Sequence, residues 1–181
     1  MRKEFISNIS HDIHLLLPPA PFDQEAHILK VGEYNVDRQI RRLIHSYEWK
    51  IDLNNLMLSH DILDVEITAD GALLDTVWDN LLSNALKYNS TFAEVEIELM
   101  EHKNEITVSF KDTGVGMDVA VKQHVFERIY REDTANSQRT RDSGLGLSIV
   151  HKVVFLHRGG IDVESNQNDQ GSTFTVMLPK R

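Results

Sequence analysis

Asn80, Asn84, Lys87 and Tyr88 stand three and four positions apart, a spacing that places them along one stripe of a helix. An asparagine offers a hard carbonyl oxygen to Mg²⁺, and a lysine offers a point charge to phosphate. Mg²⁺ keeps most of its own waters, so one or two protein oxygens suffice. Downstream, Asp112-Thr113-Gly114-Val115-Gly116-Met117 follows directly on a strand pattern. The glycines let backbone approach a ligand or adopt positive φ. A carboxylate at a strand end, beside an apolar pocket, can accept a hydrogen bond from an exocyclic amine such as adenine N6. Ser143-Gly144-Leu145-Gly146-Leu147 opens a helix, where free backbone N–H groups make an anion site. Gly171-Ser172-Thr173-Phe174 delivers a hydroxyl at the start of a strand. Singly, each cluster is ordinary: a polar helix face, a tight turn, a helix entry, a hairpin.

The elements that position these clusters follow from periodicity. Phe5, Ile6, Ile9, Ile13 and Leu16 predict a helix over residues 3–16, broken by Pro18, Pro19 and Pro21. Residues 22–35 are ambiguous, with room for one short helical turn. Val36, Ile40, Leu43, Ile44 and Tyr47 share a face and predict a helix over 36–50. Short strands are expected at 56–58 and 65–67. Asp70 reads as the N-cap of a helix over 71–88, with Leu74, Val77, Leu81 and Ala85 inward. From Phe92 to Met100 the chain alternates strictly, Val95, Ile97 and Leu99 against Glu94, Glu96 and Glu98, as a half-buried strand does. A turn at 102–104 leads to a partner strand through Ile106, Val108 and Phe110. A short helix near 118–124 precedes the polar stretch 131–143, which reads as a loop. A helix from Ser143 to His157, with Leu147, Val150, Val154 and Phe155 inward, and two closing strands near 160–164 and 172–178 complete the chain. Interleaved strands and helices with hairpins give an α/β (α+β) sandwich: a mixed or antiparallel sheet covered by helices on one face.

Composition narrows the function. The chain has 181 residues, room for one good-sized domain and a short appendage. Its net charge of -9 argues against nucleic acid as a partner, because counterion release needs a basic surface. Without cysteine there is no disulfide framework, thiolate metal site or cysteine nucleophile. No apolar run reaches membrane-spanning length, so the chain is expected to be soluble and cytoplasmic as it stands, any membrane anchor belonging to a longer parent.

In this order the clusters are specific. From Asp70 onward the chain resembles the ATP-binding catalytic domain of sensor histidine kinases. Asn80–Tyr88 looks like that family's N box, Asp112–Gly116 its first glycine box, Phe126-Glu127-Arg128-Ile129-Tyr130-Arg131 its F box, and Gly144–Leu147 its second glycine box. Gly171–Phe174 is similar to the closing Gly-Thr-Thr-Phe segment, with Ser172 in place of one Thr. The resemblance implies a Bergerat fold that holds Mg·ATP between helices and sheet, with 131–143 as the ATP lid. It implies Asn84 as the Mg²⁺ ligand, Asn80 and Lys87 near the phosphates, and Tyr88 beside adenine. Asp112 would accept from N6, assisted through water by Thr173. Gly144, Leu145, Gly146 and Leu147 would bring backbone to the phosphates, with Arg128 and Arg131 as further candidates. Gyrase-type ATPases and heat-shock chaperones share this nucleotide fold. The Phe-Glu-Arg segment favours the kinase, as does Phe5-Ile6-Ser7-Asn8-Ile9-Ser10-His11-Asp12, which resembles the H box. There His11 would take the γ-phosphoryl group, Asp12 would hold or accept its proton, and a response regulator would be the partner.

Two departures stand out. After Asp12 the family has Arg, Thr or Asn, and Pro, where this chain has His14, Leu15 and Leu16. Leu15 cannot position a water, so regulator dephosphorylation is not expected. The family's dimerisation hairpin, through which an intact protein would form a homodimer, also needs more room than His11 to Val36 offers, since one ~30 Å helix takes about 20 residues. Residues 1–35 therefore read as a partial H-box segment and residues 36–181 as the catalytic domain. An alternative follows: a nucleotide-binding or partner-interaction module that lacks autokinase activity.

Overall fold

The computed structural model describes residues 29–89, 92–127, 145–165 and 171–180. Its elements, in order, are β1 (Gly32–Asn35), α1 (Val36–Leu53), β2 (Met57–Ile62), β3 (Glu66–Ala69) and α2 (Gly71–Lys87). They continue with β4 (Glu94–Glu101), β5 (Glu105–Asp112), α3 (Val119–His124), α4 (Gly146–Leu156), β6 (Gly160–Ser165) and β7 (Ser172–Pro179). The expected helix over residues 3–16 lies outside the described residues.

Five strands form one sheet in the order β2-β4-β5-β7-β6. β2 runs parallel to β4, and the other neighbours are antiparallel. The sheet is therefore mixed, one of the two arrangements the sequence pattern allows. Alternation gives it one dry face: Val95, Ile97, Leu99, Ile106, Val108, Phe110, Phe174, Val176 and Leu178 are all buried. The other face is polar, with Lys111 of β5 paired to Glu96 of β4 at 3.1 Å.

Helices cover the dry face. α2 buries Leu74, Val77, Trp78, Leu81, Leu82, Ala85 and Leu86, and the Trp78 ring lies 6.2 Å from that of Phe110. α4 buries Val150, Val153 and Val154. Phe155, expected inward, is 62% exposed: one step past Val154 turns the side chain about 100° from the buried stripe. The α4 C-terminus closes as a Schellman motif, with Arg158 N–H donating to Phe155 O and Gly159 N–H to Val154 O. Arg158 takes φ 58° at the position where glycine is usual.

β1 is an element that periodicity does not reveal. It pairs antiparallel with β3, from Gly32 opposite Ala69 to Asn35 opposite Glu66. The packed unit therefore begins before residue 36. Tyr34 is buried under α2, and its hydroxyl accepts a 2.9 Å hydrogen bond from Trp78 Nε1. Burial pushes the Tyr34 hydroxyl far above the usual phenol range, against the opposing effect of that bond. Among the described residues no helix is long and apolar enough to cross a membrane.

Candidate nucleotide site

α2 is capped by Asp70, whose side chain accepts from Leu73 N–H at 3.2 Å. The polar stripe starts just past the middle of this helix, at Asn80. Asn80 is half-buried, and its Nδ2 donates to Thr76 O at 2.7 Å. That bond turns Asn80 Oδ1 toward the first turn of α4. A β-carbon at Gly146 would lie only 2.5 Å from this oxygen, so glycine permits the two helices to approach here. Asn84 is also half-buried. The helix stops at Lys87, one residue sooner than expected, and Tyr88 caps it with an N–H bond to Asn84 O. The Lys87 ammonium donates to the Tyr88 hydroxyl at 3.2 Å and sits 4.7 Å from the ring centre. Tyr88 presents about half of its surface to solvent.

The other wall is the end of β5. Asp112 is buried, and its Oδ1 accepts from Gly114 N–H at 2.8 Å. Burial raises its pKa above the usual carboxylate value, while hydrogen bonds from the backbone N–H groups of Gly114 and Ser172 work against that rise. Gly114 joins the two walls. Its Cα faces Tyr88 O, Asn89 Oδ1 and Asp112 Oδ1, and a β-carbon there would collide with all three. Val115 N–H donates to Tyr88 O at 3.3 Å. Gly116 has φ 67° and packs on Gly171 and on Ser165 Oγ, which accepts from Met117 N–H at 2.7 Å and donates to Gly171 O at 2.9 Å.

The structure thus brings Asn80 to Gly146, and Tyr88 to Gly114 and Asp112. Leu145 is the N-cap of α4, and its carbonyl accepts from Ile149 N–H and Ser148 Oγ. Leu147 packs against the core. Phe126 lies 6.4 Å from Phe174 and 5.7 Å from the ring of His151, which ties the chain after α3 to β7 and α4. His11, Asp12, Arg128, Arg131 and Gly144 lie outside the described residues.

Thr173, expected to assist Asp112, lies on the opposite face of the sheet from it. In the β5–β7 ladder it sits opposite Lys111, and in β6–β7 opposite Glu164, both on the polar face of the sheet. The residue that shares the face of Asp112 is Ser172, its direct partner in the ladder, and it is buried. Alternation from Phe174, Val176 and Leu178 puts Ser172 inward, a signal already present in the sequence. Asn89 also escapes sequence reading. Its Nδ2 donates to Ala85 O at 2.5 Å, while its buried Oδ1, beside Gly114, accepts no hydrogen bond among the described residues.

No three His, Asp or Glu side chains gather as a metal cage among the described residues. The donor set nonetheless fits Mg²⁺ carried in by phosphates, which asks for a single neutral oxygen and otherwise keeps its waters. Chemically, the site offers a buried acceptor at a strand end and an amide oxygen, that of Asn80, facing a glycine-entered helix.

A protein family described as histidine kinase-, DNA gyrase B-, and HSP90-like ATPase matches residues 69–181. The heme sensor protein HssS of Staphylococcus haemolyticus is 30% identical over 175 residues, covering 97% of this chain and 37% of that protein. Sensor histidine kinase YvrG of Bacillus subtilis is 30% identical over 189 residues, covering 99% of this chain and 30% of that protein. The chain spans about a third of the length of these curated relatives. The catalytic domain of histidine kinase ThkA superposes with a TM-score of 0.74 at 25% identity, over 84% of this chain and 99% of that one.

Proposed function

This chain belongs to the family of histidine kinase-, DNA gyrase B- and HSP90-like ATPases, as an ATP-binding domain of the sensor histidine kinase kind, and from that premise we propose that it holds Mg·ATP between α2 and the Asp112 end of the sheet and passes the γ-phosphoryl group to a histidine. The observation that carries this reading is the buried Asp112 carboxylate, held at the end of β5 across from the asparagine helix. Asp112 accepts from adenine N6, with Ser172 beside it and Tyr88 flanking the ring. Asn80, Lys87, Arg128, Arg131 and the backbone from Gly144 to Leu147 meet the phosphates. Asn84 would offer an oxygen to Mg²⁺, which when bound would neutralise phosphate charge.

In the intact protein the acceptor is His11. A neutral imidazole nitrogen forms a bond to the γ-phosphorus as the bond to the β–γ bridging oxygen breaks. ADP leaves, and Asp12 holds or takes the proton of the other ring nitrogen. The onward acceptor is a response regulator, and residues before about 30 form the phosphoacceptor segment. A second reading, nucleotide binding without self-labelling, is favoured by the short span between His11 and β1.

Calorimetry with Mg·ATP, and labelling with γ-labelled ATP, test both. Asp112→Asn is expected to weaken ATP roughly ten- to a hundredfold, the worth of a hydrogen bond to a charged group. Unchanged affinity refutes the site. Label that survives in His11→Gln refutes the acceptor, and stoichiometric label on the unmodified chain removes the second reading.

A further inference from the structure

α2 and α4 run antiparallel across the dry face of the sheet and touch at both ends of their shared length. At one end Gly146 approaches Asn80. At the other, His157, the C-cap of α4, is buried against Asp70, the N-cap of α2. The Asp70 backbone N–H donates to His157 Nε2 at 3.0 Å, and His157 Nδ1 stands 2.8 Å from Val153 O. The carbonyl can only accept, so Nδ1 carries the proton and Nε2 is the free acceptor. From Asp70 to Asn80, and back from Gly146 to His157, the chain covers about 15 Å of each helix. The two contacts are therefore rungs of one ladder, and each constrains how far α4 can slide along α2.

We infer that His157 is a positioning residue for the triphosphate: its bond to the Asp70 amide sets the axial register of α4 on α2, and so how Asn80 and Asn84 stand relative to the N–H groups at the start of α4. This rests on the proposed function, because it needs the phosphates to meet these groups. A slip of one helix past the other alters this arrangement while leaving Asp112, which belongs to the sheet, where it is. Loss of the rung should therefore weaken ATP and spare adenosine. A general loss of stability does not discriminate in this way.

Two amide substitutions separate the ring nitrogens. Glutamine at 157 places an acceptor at the reach of Nε2, toward Asp70. Asparagine reaches only as far as Nδ1, toward Val153. Calorimetry of adenosine and of Mg·ATP on the full chain is expected to show His157→Asn losing roughly five- to tenfold in ATP affinity, the worth of one hydrogen bond. Its adenosine affinity should stay within twofold, and His157→Gln should resemble the unsubstituted protein for both ligands. Equal ATP affinity in all three proteins, or equal losses for ATP and adenosine, overturns the inference. Failure of the unsubstituted chain to bind either ligand overturns the function itself. Hydrogen exchange on the unsubstituted chain provides the second measurement. Mg·ATP should slow exchange of the Asp70 amide beyond what adenosine does, because coupling between the rung and the phosphate-binding groups is reciprocal. Equal protection by the two ligands counts against it.

Discussion

The carbonyl of Asp112 occupies the space that a β-carbon on Gly171 would need. Gly171 holds φ 126°, a conformation open in practice only to glycine. The turn before β7 can therefore press against the backbone of the residue proposed to read adenine. Gly171→Ala is expected to destabilise the fold by about 1–3 kcal/mol through backbone strain alone, with ATP affinity falling as Asp112 is displaced. Thermal melting and calorimetry on one preparation check both effects.

Acidification should weaken ATP through Asp112. Burial raises the pKa of its carboxylate, so its protonation begins at a higher pH than that of an ordinary aspartate. A protonated carboxyl is the poorer acceptor for N6. Affinity should thus decline on acidification before exposed aspartates titrate, and Asp112→Asn should flatten that decline. The sign for stability is opposite. Between its unfolded and its raised folded value the native state binds more protons, so this group costs stability as pH rises through that window. Ligand-free Asp112→Asn should therefore melt no lower than the unsubstituted protein at neutral pH.

Tyr34→Phe leaves the indole N–H of Trp78 buried without its acceptor. An unsatisfied buried donor costs about 1–3 kcal/mol. Denaturant unfolding should show that loss as a lower midpoint with an unchanged slope. Adenosine affinity should be retained, because Tyr34 touches α2 on its buried side.

Arg158→Gly runs the other way. The left-handed backbone at Arg158 strains any residue with a β-carbon, and both Schellman hydrogen bonds are made by backbone. Relief of roughly 1 kcal/mol is expected, measured as a rise in melting temperature.

Chelation tests the proposed metal. With excess EDTA, ATP affinity should fall while adenosine affinity stays constant, since only the phosphates share the ion with Asn84. An equal ATP affinity with and without chelator would remove Mg²⁺ from the reading.

What the sequence disclosed, and what it concealed, follows from how much each feature depends on local pattern. β4 was legible because three glutamates alternate with three aliphatics, and the inner face of α2 because Leu74, Val77, Leu81 and Ala85 keep helical time. β1 was not, because its four residues have only Tyr34 buried, too few for any period to show. Ser172 is legible by alternation, two positions before the inward Phe174, whereas the family's closing segment points to the threonine beside it. The His157 rung was invisible for a different reason: it joins residues 87 positions apart through one side chain and one amide, and no local pattern announces such a bond.

The parallel pairing of β2 with β4 carries a consequence for how this site came to sit where it does. Two parallel neighbours cannot be joined by a hairpin; the chain must return along the sheet before the second strand can begin. Here that return path is β3 followed by α2. The helix bearing Asn80 and Asn84 is thus the crossover itself, not an ornament on a finished sheet. A descendant that gave up nucleotides could discard both asparagines and still fold. It could not discard the helix without dissolving the sheet's parallel seam, so in this architecture the scaffold of the site outlives its chemistry.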